Sequence, residues 1–271
     1  MPNEQKYNRI RKRADKIKTQ SQEPDERGAR KITMENPVIT WIKKDLNVII
    51  ALLIIFLISL FLRSYFYYPI ATENGWLLSG NDPFYHKRVI DYAQQYFTHL
   101  SRDPLLNYPL IGVNPRPPAY DWSNAVLGLF LSPLTNGDVA STTWVLFLFS
   151  PALWGALTIF PVYFLTKDVF GRKPAIVAAF FMGIMSSHIE RSPLGFADHD
   201  AMVVFFVVTS IFFLAKALGH VKEKYWVKKW RNTAEITNGV KEFFLDNPIS
   251  IAYSILCGFS IGTIALVCVA Q

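Results

Sequence analysis

The run WSNAVLGLFLSPL, residues 122–134, decides how this chain is threaded. It is apolar, but a helix of that length falls short of the roughly 20 residues needed to cross a hydrocarbon core about 30 Å thick. It therefore reads as an interfacial or buried helix. On its N-terminal side lies LNVIIALLIIFLISLFL, from Leu46 to about Leu62, ended by Arg63. Tyr65, Phe66, Tyr67 and Tyr68 follow, as in an interfacial aromatic belt. On its C-terminal side the runs Thr142–Leu165, Ala201–Leu218 and Ile249–Ala270 are long enough to span. Ala175–Ser187 is apolar but short, and reaches across only with flanking residues.

If residues 122–134 do not cross, three basic regions share one side. These are the N-terminus, the 166–174 loop (Lys167, Arg172, Lys173) and the 219–248 loop (Lys222, Lys224, Lys228, Lys229, Arg231, Lys241). The 63–141 and 186–200 segments then lie on the other side. If residues 122–134 did cross, both basic loops would lie on the wrong side. The positive-inside rule favours the first arrangement. The expected fold is thus an all-α polytopic membrane protein with about five spans, a cytoplasmic N-terminus and two external loops carrying helices, one of them over Pro83–His99.

Composition agrees: the 271 residues are 51% apolar and 15% aromatic, with a mean hydropathy of +0.20. The net charge of +7 is concentrated in the first 46 residues and the two basic loops, with no basic stripe interleaved with aromatics, so no nucleic-acid partner is expected. The first 40 residues are too polar for a cleaved signal peptide. Residues 1–45 read as a disordered cytoplasmic tail (Lys6, Arg9, Arg11, Lys12, Arg13, Lys16, Lys18) that is solvated or touches anionic lipid. The segment KEKYWVKKWR (222–231) reads as an inner-leaflet helix or a solvated loop. Cys257 and Cys268 lie in the last apolar run without metal or redox spacing. No repeat and no glycine-rich phosphate loop is present.

Three carboxylates, Asp82, Asp198 and Asp200, fall on the external side, each close to a membrane boundary. Such groups are costly there unless paired, solvated or bound to a cation. Together they make a hard oxygen site of the Mg²⁺ or Mn²⁺ type. Arg191 and His199 add positive charge for a phosphate. Each motif has a plainer reading as well: Asp82-Pro83 and Asp198-His199-Asp200 each precede a helix and can simply cap it.

The runs GNDPFYHKR (80–88), NPRPPAYDW (114–122), PALWGALTIFPVYFLTKDVFGRKPAIVAAFFMGI (151–184) and RSPLGFADHDAM (191–202) occur in this order. The chain resembles, over about residues 40–270, the catalytic subunits of oligosaccharyltransferases in their archaeal form. The resemblance implies the membrane region of a GT-C-type glycosyltransferase over residues 46–271. That enzyme transfers an oligosaccharide from a dolichyl phosphate or diphosphate carrier to asparagine in Asn-X-Ser/Thr sequons. It implies that Asp82 and Asp198 are catalytic metal ligands for Mn²⁺ or Mg²⁺, and that Asp82 also faces the acceptor amide. Asp200, where some members carry histidine, is a ligand or supports one, and Arg191 supports the second motif. His199 and Arg116 match positions that contact the lipid diphosphate. Lipid-linked oligosaccharide, acceptor polypeptide and membrane lipid are the implied partners.

The family also carries further spans, an external loop with a catalytic glutamate, and a soluble domain with a WWDYG-like motif, none found here. The expectation is a fragment or one half of a split protein, lacking one metal ligand and sequon recognition, and inactive as a transferase alone. Two other readings stand beside it. A protein mannosyltransferase-like enzyme shares an acidic motif in its first external loop, but is not expected to show Arg191…Asp198-x-Asp200. A transporter or non-catalytic membrane subunit more often places its ionisable residues within spans.

Overall fold

The computed structural model describes residues 37–65, 67–69, 78–222, 224, 226 and 231–268. The chain divides into Met1–Leu46 and Asn47–Gln271. Of the tail expected over residues 1–45, residues 1–36 lie outside the described residues and 37–45 are helical; most of KEKYWVKKWR and the side chains of Trp41, Trp76 and Trp230 also lie outside them.

The fold is mostly helical. Helix α1 is Pro37–Ser64, α2 is Asp82–Tyr96, and a two-stranded ribbon pairs β1 (Arg102–Asp103) with β2 (Gly112–Val113) in antiparallel register. Then come α3 (Pro118–Leu131), α4 (Val139–Leu157), α5 (Ile159–Phe170), α6 (Arg172–Ile184) and the short α7 (Ser186–Glu190). Helices α8 (Asp200–Gly219), α9 (Thr233–Asp246) and α10 (Pro248–Val267) follow. Among the described residues, four helical stretches are long and apolar enough to cross a membrane: Asp45–Ser64, Val139–Phe170, Asp200–Gly219 and Pro248–Val267. At 1.5 Å per residue, the 20-residue stretches reach about 30 Å, the thickness of the hydrocarbon core. The protein is an integral membrane protein. Leu53, Ile54, Leu57 and Phe61 of α1 are exposed, as side chains facing lipid are.

Three elements differ from the sequence-based expectation: α1, the α4–α5 run, and α2, which ends at Tyr96 and not at His99. Helix α1 begins at Pro37, ahead of Leu46, because proline suits the first helical turn. The expected Thr142–Leu165 span is a 32-residue run, Val139–Phe170, split at Thr158. Pro161 has no N–H to give the Leu157 carbonyl, which breaks the ladder there. Pro151 does less damage, because Ser150 Oγ donates to the freed Phe147 carbonyl at 2.9 Å. Helix α6 has 13 residues, about 20 Å, and does not meet the spanning length on its own. It is bounded by Gly171 at φ +86° and by extended backbone at Met185.

Small side chains let the helices approach closely. Ala175, Ala179 and Gly183 make a buried stripe on α6. A Cβ on Gly183 would lie 3.4 Å from Ile55 and Ser59 of α1. This is the small-residue packing used where lipid offers no hydrophobic drive. Helices α8 and α10 pack together, α5 packs on α6, and α3 packs on both α2 and α4. The main buried cluster joins Ile90, Tyr120, Phe147, Leu148, Leu194 and Met202. Leu194 and Ala197 anchor the loop that carries Asp198 in this cluster.

Candidate metal centre

The 191–199 loop is fixed mainly by backbone bonds. Leu194 N donates to Arg63 O at 2.9 Å, and Gly195 N to Leu148 O at 3.0 Å. Gly195 sits at φ +83°, a conformation that favours glycine, and its carbonyl accepts from Ser79 N at 2.9 Å. That last bond joins this loop to the segment leading into α2. Beneath it the Arg63 side chain is fully buried. Its Nη1 donates to Ser59 O, Ser59 Oγ and Gly183 O at 3.0, 2.6 and 2.8 Å, and its Nε to Ser192 Oγ at 2.9 Å. One cation thus ties α1, α6 and the loop together.

Neither acidic motif caps its helix: no side-chain cap hydrogen bond forms at α2 or α8. Asp82 begins α2, its side chain 56% exposed, and Oδ1 meets Arg116 Nη2 at 2.5 Å. One turn along, His86 shares the same face of α2. Its ring is buried between two carboxylates, with Nδ1 2.6 Å from Asp121 Oδ1 and Nε2 3.3 Å from Asp198 Oδ1. Asp198 Oδ1 also accepts from His199 N at 2.7 Å and lies 2.5 Å from His199 Nδ1. Asp200 begins α8 and pairs with the exposed Arg191 at 3.6 Å. This pair lies at a cavity of about 380 Å³ whose walls include Met182, Met185, Val203 and Val204.

Among the described residues, the one group of three whose ligand atoms lie within 4.8 Å of one another is His86, Asp198 and His199. Of the sequence-predicted residues, the structure sets Asp198 against His199, Asp82 against Arg116, and Asp200 against Arg191. It does not draw Asp82, Asp198 and Asp200 into one such group. Sequence reasoning missed His86 and Asp121. The available signal was the i, i+4 spacing of Asp82 and His86 on one helix.

Burial opposes protonation of His86, but the hydrogen bonds to Asp121 and Asp198 outweigh it and push the imidazole up to about 9. Burial likewise pushes the Asp121 carboxyl up, against the pull of His86. For Asp198, burial is overcome by hydrogen bonds from His199 and His86, which hold its carboxyl well below the usual range. Asp198 is therefore an anion at neutral pH, the state a metal ligand needs.

The family model "Oligosaccharyl transferase STT3, N-terminal" matches residues 46–267. A dolichyl-phosphooligosaccharide-protein glycotransferase 3 of Archaeoglobus fulgidus is 34% identical over 136 residues, 49% of this chain and 15% of that protein. The archaeal oligosaccharyltransferase AglB from Archaeoglobus fulgidus, solved with an inhibitory peptide and a dolichol-phosphate, is similar with a TM-score of 0.68 and 26% identity. That match covers 84% of this chain and 24% of the solved one. A crystal structure of the Archaeoglobus fulgidus oligosaccharyltransferase with Zn and sulfate gives a TM-score of 0.61 at 26% identity, over 80% of this chain and 25% of that one. The chain thus spans about a quarter of the solved relatives' length or less. With its helices, its two acidic motifs and a family match from the first span to the last, the chain belongs to the oligosaccharyl transferase STT3 N-terminal family.

Proposed function

We propose that this chain is the N-terminal, membrane-embedded part of an oligosaccharyltransferase catalytic subunit. The enzyme would move an oligosaccharide from a dolichyl phosphate or diphosphate carrier to asparagine in Asn-X-Ser/Thr. The observation that carries this reading is the meeting of α2 with the Asp198 loop, through His86–Asp198 at 3.3 Å and Ser79–Gly195 at 2.9 Å. These contacts join the helix that starts at Asp82 to the loop that carries Asp198, which supports the reading.

The residues suit a divalent cation. Asp198 is ionised and, among the described residues, all its polar side-chain contacts fall on Oδ1, so Oδ2 is available. Asp82 is exposed one turn from His86. Asp82, Asp198 and Asp200 would hold Mn²⁺ or Mg²⁺, whose charge would offset that of the departing phosphate. Arg116 and His199 offer donors to phosphate oxygens. Asp82 accepts from the acceptor amide N–H and so weakens the delocalisation that makes an amide nitrogen a poor nucleophile. Arg191 keeps Asp200 oriented. Five spans, with α6 as the short one, put the basic loops in the cytoplasm and this site on the external face.

The test is a chimera in which residues 46–267 replace the matching segment of the Archaeoglobus fulgidus AglB protein. Glycan transfer to an Asn-Val-Thr peptide is expected, with Asp82→Ala and Asp198→Ala each lowering it at least about 100-fold. Undiminished transfer in both variants refutes the reading.

A further inference from the structure

The reading above leaves two of the most enclosed polar side chains without a task. His86 and Asp121 have side-chain exposures of 2% and 0%. Burying an ionisable pair carries a desolvation cost that a merely structural position could avoid with apolar residues. Both ring nitrogens of His86 face carboxylates, and an ionised carboxylate only accepts. Asp198, an anion, therefore accepts from Nε2–H at 3.3 Å, while Nδ1 lies 2.6 Å from Asp121 Oδ1. The Tyr120 ring packs nearly perpendicular to the imidazole, at a centroid distance of 5.1 Å. Tyr120 is itself pinned by a 2.7 Å bond between its hydroxyl and Ser150 Oγ. The target of this arrangement is one atom. His86 Nε2, His199 N and His199 Nδ1 all meet Asp198 at Oδ1.

We propose that Asp121 and His86 form a buried carboxylate–imidazole relay that grips Asp198 by Oδ1 and thereby leaves Oδ2 as the atom presented to a divalent cation. His86 is then a positioning residue and not a ligand. Asp121 acts only through His86. The proposal rests on the reading of Asp198 as a metal ligand. Partners of this kind, behind a ligating group, typically change metal affinity by about 10- to 100-fold.

The test is Mn²⁺ binding to the 271-residue chain in lipid nanodiscs, followed by the EPR signal of free Mn²⁺. His86→Ala and the near-isosteric Asp121→Asn should each weaken binding by about 10- to 100-fold. The double variant should be no worse than His86→Ala alone, because the two act in series. His86→Gln should recover most of the affinity, since its amide nitrogen can donate from near the place of Nε2. In that background Asp121→Asn should have no further effect. Far-UV circular dichroism and thermal melting exclude simple misfolding.

If Asp198→Ala abolishes binding while the His86 and Asp121 variants match the parent, the relay is wrong and the metal reading stands. If Asp198→Ala binds Mn²⁺ as the parent does, the metal reading and the relay fall together. An electron spin-echo modulation from a directly bound nitrogen that is present in the parent and lost in His86→Gln makes His86 a ligand and overturns the positioning role.

Discussion

Replacing Gly155 with alanine should damage this protein, although glycine-to-alanine changes inside helices usually help by about 1 kcal/mol. Gly155 is buried in α4 against the Arg63 guanidinium. A Cβ there would lie 2.5 Å from Arg63 Nε, 2.6 Å from Ser192 Oγ and 2.8 Å from Ser192 Cβ. Arg63 cannot swing away without releasing Ser59 and Gly183, which hold its Nη1. Ser192 cannot retreat either, since its hydroxyl donates to His188 O at 2.5 Å. Overpacking costs about 1–3 kcal/mol, and a lost hydrogen bond to a charged group about 1.5–3 kcal/mol. Less the propensity gain of about 1 kcal/mol, the net loss is about 1.5–5 kcal/mol. At about 2–4 °C per kcal/mol, Tm should fall on the order of 10 °C. Intrinsic tryptophan fluorescence during thermal unfolding in nanodiscs reads this. Gly258→Ala is the control: nothing lies within 4 Å of a Cβ there, and Tm should hold or rise slightly. A Gly155→Ala protein melting at or above the parent would refute the claim that this contact is tight.

Two more outcomes follow from groups near the site. His188 is buried, with Nε2 lacking a partner among the described residues, and its imidazole is pushed down to about 4, first by burial and then by the charge of Arg63. The unfolded chain takes up this proton first, near pH 6.5, so stability is lost as pH falls from about 6.5 to about 4, by up to roughly 3 kcal/mol. His188→Gln should flatten the melting temperature across that window, and an unchanged slope counts against the assignment. Asp103, at the loop end of the β1–β2 ribbon, accepts two bonds from Arg88 at 2.8 and 2.9 Å and one from Leu105 N at 2.9 Å. Arg88 holds its carboxyl below the ordinary 3.8, so this contribution is intact above that pH and disappears as pH falls through the lowered value. Asp103→Asn should speed amide hydrogen exchange at Leu105 and Gly112 at neutral pH and leave α8 and α10 unchanged; equal exchange at the ribbon would exclude the bracing role.

The spans were legible because a lipid-facing helix must be apolar along most of its length, a signal that needs no partner. Leu46–Leu62, Ala201–Leu218 and Ile249–Ala270 were readable for that reason, and the structure starts or ends them within a few residues except at Pro37. Pro161 signals the Thr158 break, but the run stays apolar across it, so hydropathy alone does not show it. Of the clustered His86, Asp198 and His199, the last two were legible in their motif. Asp82, Asp198 and Asp200 stood out as charges beside apolar runs. His86 and Asp121 did not, because His86 sits in a polar helix where an imidazole is unremarkable, and Asp121 closes a proline-rich stretch with no chemical motif of its own. Their partnership spans 35 residues and closes only when α3 packs on α2. From sequence alone Arg63 reads as the stop of the first span. Its role as a clamp depends on Ser192, 129 residues away.

The bond from Ser79 N to Gly195 O is made by main-chain atoms on both sides. Position 79 can therefore drift through nearly the whole amino-acid alphabet without untying the knot; only proline deletes the donor. Position 195 has no such latitude, because its left-handed φ penalises any side chain. The tether thus leaves one free-varying and one frozen imprint in the sequence. A histidine or an aspartate nearby could be exchanged in a descendant protein while the scaffold that aligns the two acidic segments stays in register.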